Sequence, residues 1–377
     1  MRYRSLLLMF SLLLPFAIHA QDDRLTVVAS FSILADTVQR VAGDGVSVQS
    51  LIPFNADPHT FEPTPREIAA LADADAVFIS GIGFESNLLE IIENADAGMN
   101  IIRVSDCVTV LPIGAHHDGH EADDAHESES LSAESDPRCD GQIQEVAALH
   151  NDAHTDEADA DQHPHTEALG RAYMLDCDAH DHAAEAEGEH DHGACDPHVW
   201  GNPHNVIYWT MNIRDTLITL DPTNTDQYTA NAAAYIAELD ALTDDFVIPA
   251  LASIPEANRK LVTSHDTLGY LAALGGLDII GVVIAGGSTT VEPSAQDIAA
   301  LIGSIQEQNA LALFVETTTS PTLAEQVAAE AGIPVLTLYS DTLSDGEPAA
   351  TYIAYMRYNV TQIVTALGGQ VPTDVGM

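Results

Sequence analysis

The sequence predicts an α/β protein with two lobes, each a parallel sheet covered by helices, joined by one long helix. Three observations predict it. Short apolar runs alternate with helical periodicities through residues 25–104 and again through 260–367. A long amphipathic stretch without an internal proline until Pro249 separates these two regions. One tripeptide occurs twice, as Asp57-Pro58-His59 and Asp196-Pro197-His198. Each copy is a stiff turn that presents an imidazole, because proline fixes its own φ and pushes the residue before it out of the helical region.

The elements follow in order. Residues 25–30 (LTVVAS) read as a buried strand, and Ile33 to Val41 as a helix with apolar residues at 33, 34, 38 and 41. Val46 to Ile52 is a second strand leading into the first Asp-Pro-His. Pro65 to Ala72 is a short helix with Thr64 as N-cap and Pro65 in its first turn. Ala76 to Ser80 is a strand, Glu85 to Glu93 a helix and Ile101 to Val104 a strand. After His198, residues 204–220 form a helix that Asp221-Pro222 interrupts. Asn224 to Ile254 is the long linking helix, with Tyr228, Ala232, Tyr235, Ile236, Leu239, Leu242 and Phe246 on one face. The second half repeats the alternation. Its strands are Lys260 to Ser264, Ile279 to Val283, Ala312 to Glu316 and Val335 to Tyr339. Its helices are Thr267 to Leu274, Pro293 to Glu307 (starting near Glu292 or Ser294), Pro321 to Ala331 and Ala349 to Leu367.

Residues 113–194 break the pattern. Twelve of the 17 histidines lie between His116 and His192, acids are dense and large apolar residues scarce. Such a stretch cannot bury enough surface to offset its ordering entropy, so a mobile insert is expected, with some order around Ile143 to Leu149 and Tyr173 to Leu175. The first twenty residues carry Arg2 and Arg4, an apolar core from Leu6 to Ile18 and then His19-Ala20, the pattern of a secretory signal peptide. The apolar run is too short for a membrane span, and no cysteine near Ala20 offers a lipid attachment point. The resulting organisation is a leader over 1–20, a first lobe over 21–221 carrying the insert, a linking helix over 222–254 and a second lobe over 255–377.

The net charge is −46, with a single lysine, Lys260. This excludes non-specific binding to nucleic acid or anionic lipid and favours cations. The four cysteines, Cys107, Cys139, Cys177 and Cys195, lie in or beside the insert. An exported chain meets an oxidising compartment, so disulfides are expected, and nested pairing of Cys107 with Cys195 and Cys139 with Cys177 would pinch the insert at its base and middle. Metal thiolates are the alternative, although no CxxC knuckle is present.

Ligands of open parallel sheets sit beyond the carboxyl ends of the strands. Four metal-ligating side chains stand there or on the repeated turn: His59, His198, His265 and Asp341. Three imidazoles and a carboxylate suit four-coordinate Zn²⁺. Asp57 and Asp196 either orient imidazoles as hydrogen-bond acceptors or cap their own turns. Phe61 and Trp200 are expected to pack around the site and exclude water, and Glu62 is a spare carboxylate beside it.

Here the sequence resembles the metal-binding receptors of ABC importers, in the group that carries zinc or manganese. The resemblance rests on Asp57-Pro58-His59-Thr60-Phe61-Glu62-Pro63-Thr64, Asp196-Pro197-His198-Val199-Trp200, Ser264-His265-Asp266-Thr267-Leu268-Gly269-Tyr270, Glu292-Pro293-Ser294 and Leu338-Tyr339-Ser340-Asp341. It covers nearly all of the chain outside the leader and the insert. It implies two Rossmann-like lobes bridged by one long rigid helix, a metal in the cleft between them, and ligands at His59, His198, His265 and Asp341. It also implies a receptor that serves a membrane permease with a cytoplasmic ATPase; the leader, with no cysteine near Ala20, points to a periplasmic protein that is not lipid-anchored, and a monomer is expected.

Manganese members of this group tend to place glutamate at the third ligand position and zinc members histidine, and this chain has His265. Imidazole suits zinc, while oxygen-rich sets suit manganese. A histidine- and acid-rich insert marks zinc members as well. The motif around Asp341 resembles both branches, so a manganese or mixed receptor is the alternative to zinc. In the insert, His116, His117, His120, His163, His165, His180, His182, His190 and His192 form pairs and His-x-His runs that can chelate weakly from an extended chain. An enzyme is disfavoured: there is no HExxH run and no nucleophile elbow, and a zinc held by four protein ligands leaves no open position. No EF-hand loop supports a calcium protein. A stand-alone zinc buffer or adhesin would differ in lacking neighbouring permease and ATPase genes.

Overall fold

The computed structural model describes residues 24–94, 98–113, 137–149, 170–172, 177, 195–285, 289 and 293–373. The chain opens with β1 (Thr26–Ala29), α1 (Ser32–Ala42), β2 (Ser47–Ser50), α2 (Pro65–Asp73), β3 (Ala76–Ile79), α3 (Ser86–Asn94) and β4 (Ile101–Arg103). These strands form an all-parallel sheet in the order β2-β1-β3-β4. Alternate residues of β1 face opposite layers. Val27 and Ala29 point into the main core beside α1, and Val28 points into a second layer with Leu71 and Leu88. Thr64 caps α2 in a reciprocal pair with Glu67, and Pro65 occupies the first turn, as expected.

β5 (Thr109–Val110) pairs antiparallel with β6 (Gly170–Arg171), and α4 (Pro137–Leu149) packs on α5 (Pro203–Leu220). The order expected around Ile143 to Leu149 falls within α4, whereas Tyr173 to Leu175 lies outside the described residues. The disulfides are Cys107–Cys139 and Cys177–Cys195, which corrects the nested pairing. The β5–β6 ladder returns the chain beside Val110, and Pro112 bridges Cys195, so Cys177 arrives next to Cys195 rather than Cys139. The insert is therefore stitched to the first sheet's body at intermediate points instead of being pinched as one loop.

The linking segment is α6 (Thr225–Leu242) and α7 (Ile248–Ala252), joined by a π-helical turn over Thr243–Val247. This differs from the uninterrupted helix expected over 224–254. Pro249 explains the difference: it has no N–H to donate, and its ring crowds the carbonyl four residues back, which the wider turn accommodates.

The second sheet contains β7 (Lys260–His265), β8 (Asp278–Ile284), β9 (Leu313–Glu316) and β10 (Val335–Leu338), all parallel, in the order β10-β9-β7-β8. The helices α8 (Gly269–Gly275), α9 (Ala295–Gln308) and α10 (Thr322–Ala331) accompany it. Leu301 and Ile305 of α9 and Val327 and Ala328 of α10 form one layer with Val262 and Leu313. Each buried leucine or isoleucine contributes roughly 1.5–3 kcal/mol of hydrophobic stabilisation. Ser294 caps α9 with Asp297, while Glu292 lies outside the described residues. α11 (Tyr352–Ala366) packs on α1 and α7, and the Tyr352 N–H donates to Asp36 Oδ2 at 2.9 Å. Among the described residues no helix is long and apolar enough to cross a membrane, and residues 1–20 lie outside them.

Candidate metal centre

The two Asp-Pro-His turns fold alike. Asp57 Oδ1 accepts the His59 N–H at 2.9 Å, and Asp196 Oδ1 accepts the His198 N–H at 3.0 Å. An aspartate closing on the N–H two residues ahead is a local turn that proline pre-organises. The Asn87 side chain then donates to the His59 carbonyl at 2.6 Å, and a turn over Val199–Gly201 follows His198. The other two residues come from the second sheet. His265 ends β7, and Asp341 stands three residues beyond β10.

The structure brings these four side chains together. One candidate ligand atom from each of His59, His198, His265 and Asp341 lies within 4.8 Å of the others, and all four residues are buried. Asp341 Oδ2 is 3.8 Å from His59 Nε2, and Asp341 Oδ1 is 3.9 Å from His198 Nε2. The imidazole centroids are 5.2–5.6 Å apart with the rings edge-on. Among the described residues, no hydrogen-bond partner meets His59 Nε2, His198 Nε2, His265 Nε2 or either Asp341 oxygen. Buried polar atoms are normally paired, so a converging set of orphans suits an ion. Donors about 2.1 Å from a tetrahedral Zn²⁺ lie about 3.4 Å from one another, so the two Asp341–imidazole pairs need to contract by about half an ångström.

Each imidazole meets different support. His198 Nδ1 lies 2.8 Å from Asp196 Oδ1. Burial pushes Asp196 well above the usual carboxylate range. A proton held between these two atoms leaves His198 Nε2 bare toward the cluster. Glu316 ends β9, beside β7. Its Oε1 accepts the His265 N–H at 3.2 Å, and its Oε2 lies 3.5 Å from His265 Nδ1. Sequence reasoning missed this residue. Its signal was a glutamate ending the apolar strand Ala-Leu-Phe-Val-Glu at the ligand edge of a parallel sheet.

Asp57 caps its turn through the His59 N–H and accepts Thr289 Oγ1 at 2.5 Å. Glu62 is exposed and stands outside the cluster, which corrects its reading as a spare carboxylate; it lies on the solvent-facing loop that enters the α2 cap. Phe61 is half-buried. Phe84, also missed, packs its ring centroid 5.3 Å from that of His59 and 6.1 Å from that of His198. The histidines of the insert, His116, His117, His120, His163, His165, His180, His182, His190 and His192, lie outside the described residues.

Burial dominates the electrostatics. It pushes His59 and His198 down to about 3, with neighbouring imidazole charge acting the same way, so both rings offer lone pairs at neutral pH. Burial also opposes charge on His265, but Glu316, Asp341 and Asp266 outweigh it and push His265 up to about 9. Burial pushes Asp341 up to about 8, which the His265 charge opposes and the surrounding carboxylates reinforce. A dication at the centre would supply the positive charge that burial withholds from Asp341.

The model of the family described as zinc-uptake complex component A, periplasmic (ZnuA), matches residues 27–366. The chain belongs to this family. It is a metal-binding receptor and not an enzyme. Among curated relatives, the chain is 25% identical over 347 residues to the manganese-binding lipoprotein MntA of Halalkalibacterium halodurans, covering 92% of this chain and 89% of that protein. It is 26% identical over 356 residues to the iron ABC transporter substrate-binding lipoprotein MtsA of Streptococcus pyogenes, covering 92% and 90%. A crystal structure of ZnuA matches with a TM-score of 0.64 and 27% identity, covering 92% of this chain and all of that one. The Mn-bound periplasmic metal-binding protein of Candidatus Liberibacter asiaticus shares the fold, with a TM-score of 0.64 and 23% identity over 91% of this chain and all of that one.

Proposed function

We propose that this ZnuA-family receptor captures Zn²⁺ outside the inner membrane through His59, His198, His265 and Asp341 and delivers it to an ABC permease driven by a cytoplasmic ATPase. The observation that carries the reading is the donor set: three buried imidazoles and one carboxylate, converging with their free atoms unpaired. Three nitrogens and one oxygen match Zn²⁺ better than Mn²⁺ in both softness and coordination number. Relatives named for manganese and iron make Mn²⁺ the second reading. The protein acts as a soluble periplasmic monomer released by cleavage after Ala20; its sequence offers no cysteine there for a lipid, unlike relatives named as lipoproteins.

The arrangement suggests a simple cycle. Zn²⁺ sheds water as it enters a site walled by aromatic rings. Two ligands come from each side of the cleft, so a small shift of one side separates the set and lowers affinity for release. The insert's His-x-His runs collect Zn²⁺ weakly and raise its concentration near the cleft; unchanged uptake under severe zinc limitation after deletion of residues 116–192 would refute that role. The central test is metal analysis and competition titration of the purified chain lacking the insert. One tight Zn²⁺ per chain, lost in His59→Ala and in His265→Ala, is expected. Preference for Mn²⁺ over Zn²⁺ would overturn the assignment.

A further inference from the structure

We infer that Trp200 is a positioning residue that couples His198 on one side of the cleft to Asp341 on the other. The inference rests on the ligand set proposed above. Trp200 stands two residues after His198 and is 2% exposed. Its ring centroid lies 5.5 Å from that of His198 and 4.7 Å from that of Phe84, both edge-on, so the indole packs against that imidazole. Its Nε1–H donates to the carbonyl of Ser340 at 2.9 Å. Ser340 immediately precedes Asp341. The Trp200 carbonyl in turn accepts Tyr352 Oη–H of α11 at 2.7 Å. One rigid side chain thus supports a ligand from the first part of the chain and grips the backbone that carries a ligand from the last.

The loop around Asp341 has further ties to the first part of the chain: Ser32 Oγ lies 3.3 Å from Thr342 Oγ1, and the Asn55 N–H donates to Thr342 Oγ1 at 3.2 Å. The Leu343 N–H donates to Ser32 Oγ at 2.8 Å. These bonds touch neither imidazole nor indole. Trp200 alone among these ties also contacts a proposed ligand. Displacing the Ser340 carbonyl moves Asp341 relative to His198, and Asp341 Oδ1 is already only 3.9 Å from His198 Nε2. Tyr355 Oη–H of α11 donates to the same Ser340 carbonyl at 2.9 Å, so the Trp200 bond is the part of this anchor that also reports on His198.

The second tryptophan provides an internal control. Trp209 Nε1–H donates to Ser105 Oγ at 2.8 Å and not to the loop around Asp341, although its ring centroid lies 6.1 Å from that of Trp200. The chain has only these two tryptophans, so ¹⁵N-labelled indoles give two signals. On titration with Zn²⁺, the Trp200 signal is expected to shift and to gain protection from exchange, while the Trp209 signal shifts less and gains no protection. Trp200→Phe keeps a ring but removes the donor. It is expected to weaken Zn²⁺ binding by about tenfold or more, as loss of a partner that orients a ligand does. Its Co²⁺ complex is expected to lose the intense visible absorption of a four-coordinate site as Asp341 withdraws and two or more waters raise the coordination number above four. Unchanged Zn²⁺ affinity and Co²⁺ spectrum in Trp200→Phe would overturn the inference. Should that variant fail to fold, a wild-type Trp200 indole signal that ignores Zn²⁺ would overturn it equally. If His59→Ala binds Zn²⁺ as tightly as the native chain, the ligand assignment itself has failed, a separate result.

Discussion

Zinc binding at pH 7 is expected to release about two protons. The perturbation is the addition of Zn²⁺ to the metal-free protein, and the magnitude follows from four side chains. His59 and His198, held down to about 3, carry no proton to lose. His265, pushed up to about 9, and Asp341, pushed up to about 8, each carry one. At pH 7 both are mostly protonated, giving about two protons to displace. Three unperturbed imidazoles at about 6.5 with an unperturbed aspartate would release only about 0.7. The sign follows: lower pH favours the protonated, metal-free form, so affinity falls as pH falls, by nearly a hundredfold between pH 7 and pH 6. Isothermal calorimetry in phosphate and in Tris, whose ionisation enthalpies differ, counts the protons directly. Release of fewer than one proton, or affinity that changes less than tenfold over that unit, would refute the electrostatic account.

Three further outcomes test the surroundings of the site. Glu316→Gln keeps an acceptor for the His265 N–H but removes the charge that raises His265; proton release is expected to drop by about one, with Zn²⁺ affinity reduced about tenfold to a hundredfold in the same calorimetry. In Gly269→Ala the new Cβ would lie 2.4 Å from Asp196 Oδ2, so the acceptor on His198 must move; weaker Zn²⁺ competition with an unchanged far-ultraviolet circular dichroism spectrum is expected. Replacing Cys177 and Cys195 by serine frees the residue directly before Asp196 and is expected to weaken Zn²⁺ binding, whereas serines at Cys107 and Cys139 leave it unchanged.

Much of this architecture is legible in the sequence because apolar alternation reports it directly. The runs Thr-Val-Val-Ala, Ala-Val-Phe-Ile and Leu-Phe-Val-Glu all become parallel strands. The four clustered residues were visible because they stand at strand ends or on a repeated turn, where α/β proteins place ligands. What was illegible depends on contacts between distant segments. The two-residue strands β5 and β6 have no period to detect, yet they decide which cysteines meet. Glu316 supports His265 only because β9 lies beside β7, a neighbour relation that no local pattern encodes. Phe84 and Tyr270 look like ordinary core residues. In the fold, Phe84 walls two imidazoles and Tyr270 Oη–H donates to the Asp196 carbonyl at 3.0 Å.

The two sheets also explain why the two sides of the site are built differently. Counted within its own sheet, each has its second, first, third and fourth strands in spatial order. Both therefore have a switch point between the first and third strands, the usual place for a ligand. In the second sheet that point holds His265 and Glu316. In the first it is filled internally: Glu85 accepts Ser30 Oγ–H at 2.6 Å, the Ser80 N–H at 2.7 Å and the Gly81 N–H at 2.9 Å. With its strand ends closed by a carboxylate, the first sheet contributes no side chain from a strand end to the cluster, and the stiff Asp-Pro-His turns do so instead. Glu85 should then matter for folding and not for the metal. Glu85→Ala strands a hydroxyl and two buried N–H groups at about 1–3 kcal/mol each, so a loss of about 3 kcal/mol or more is expected in urea unfolding of the metal-free protein. The folded variant is expected to bind one Zn²⁺. A loss below 1 kcal/mol, or a well-folded variant that binds no Zn²⁺, would show that the closed switch point belongs to the metal site after all.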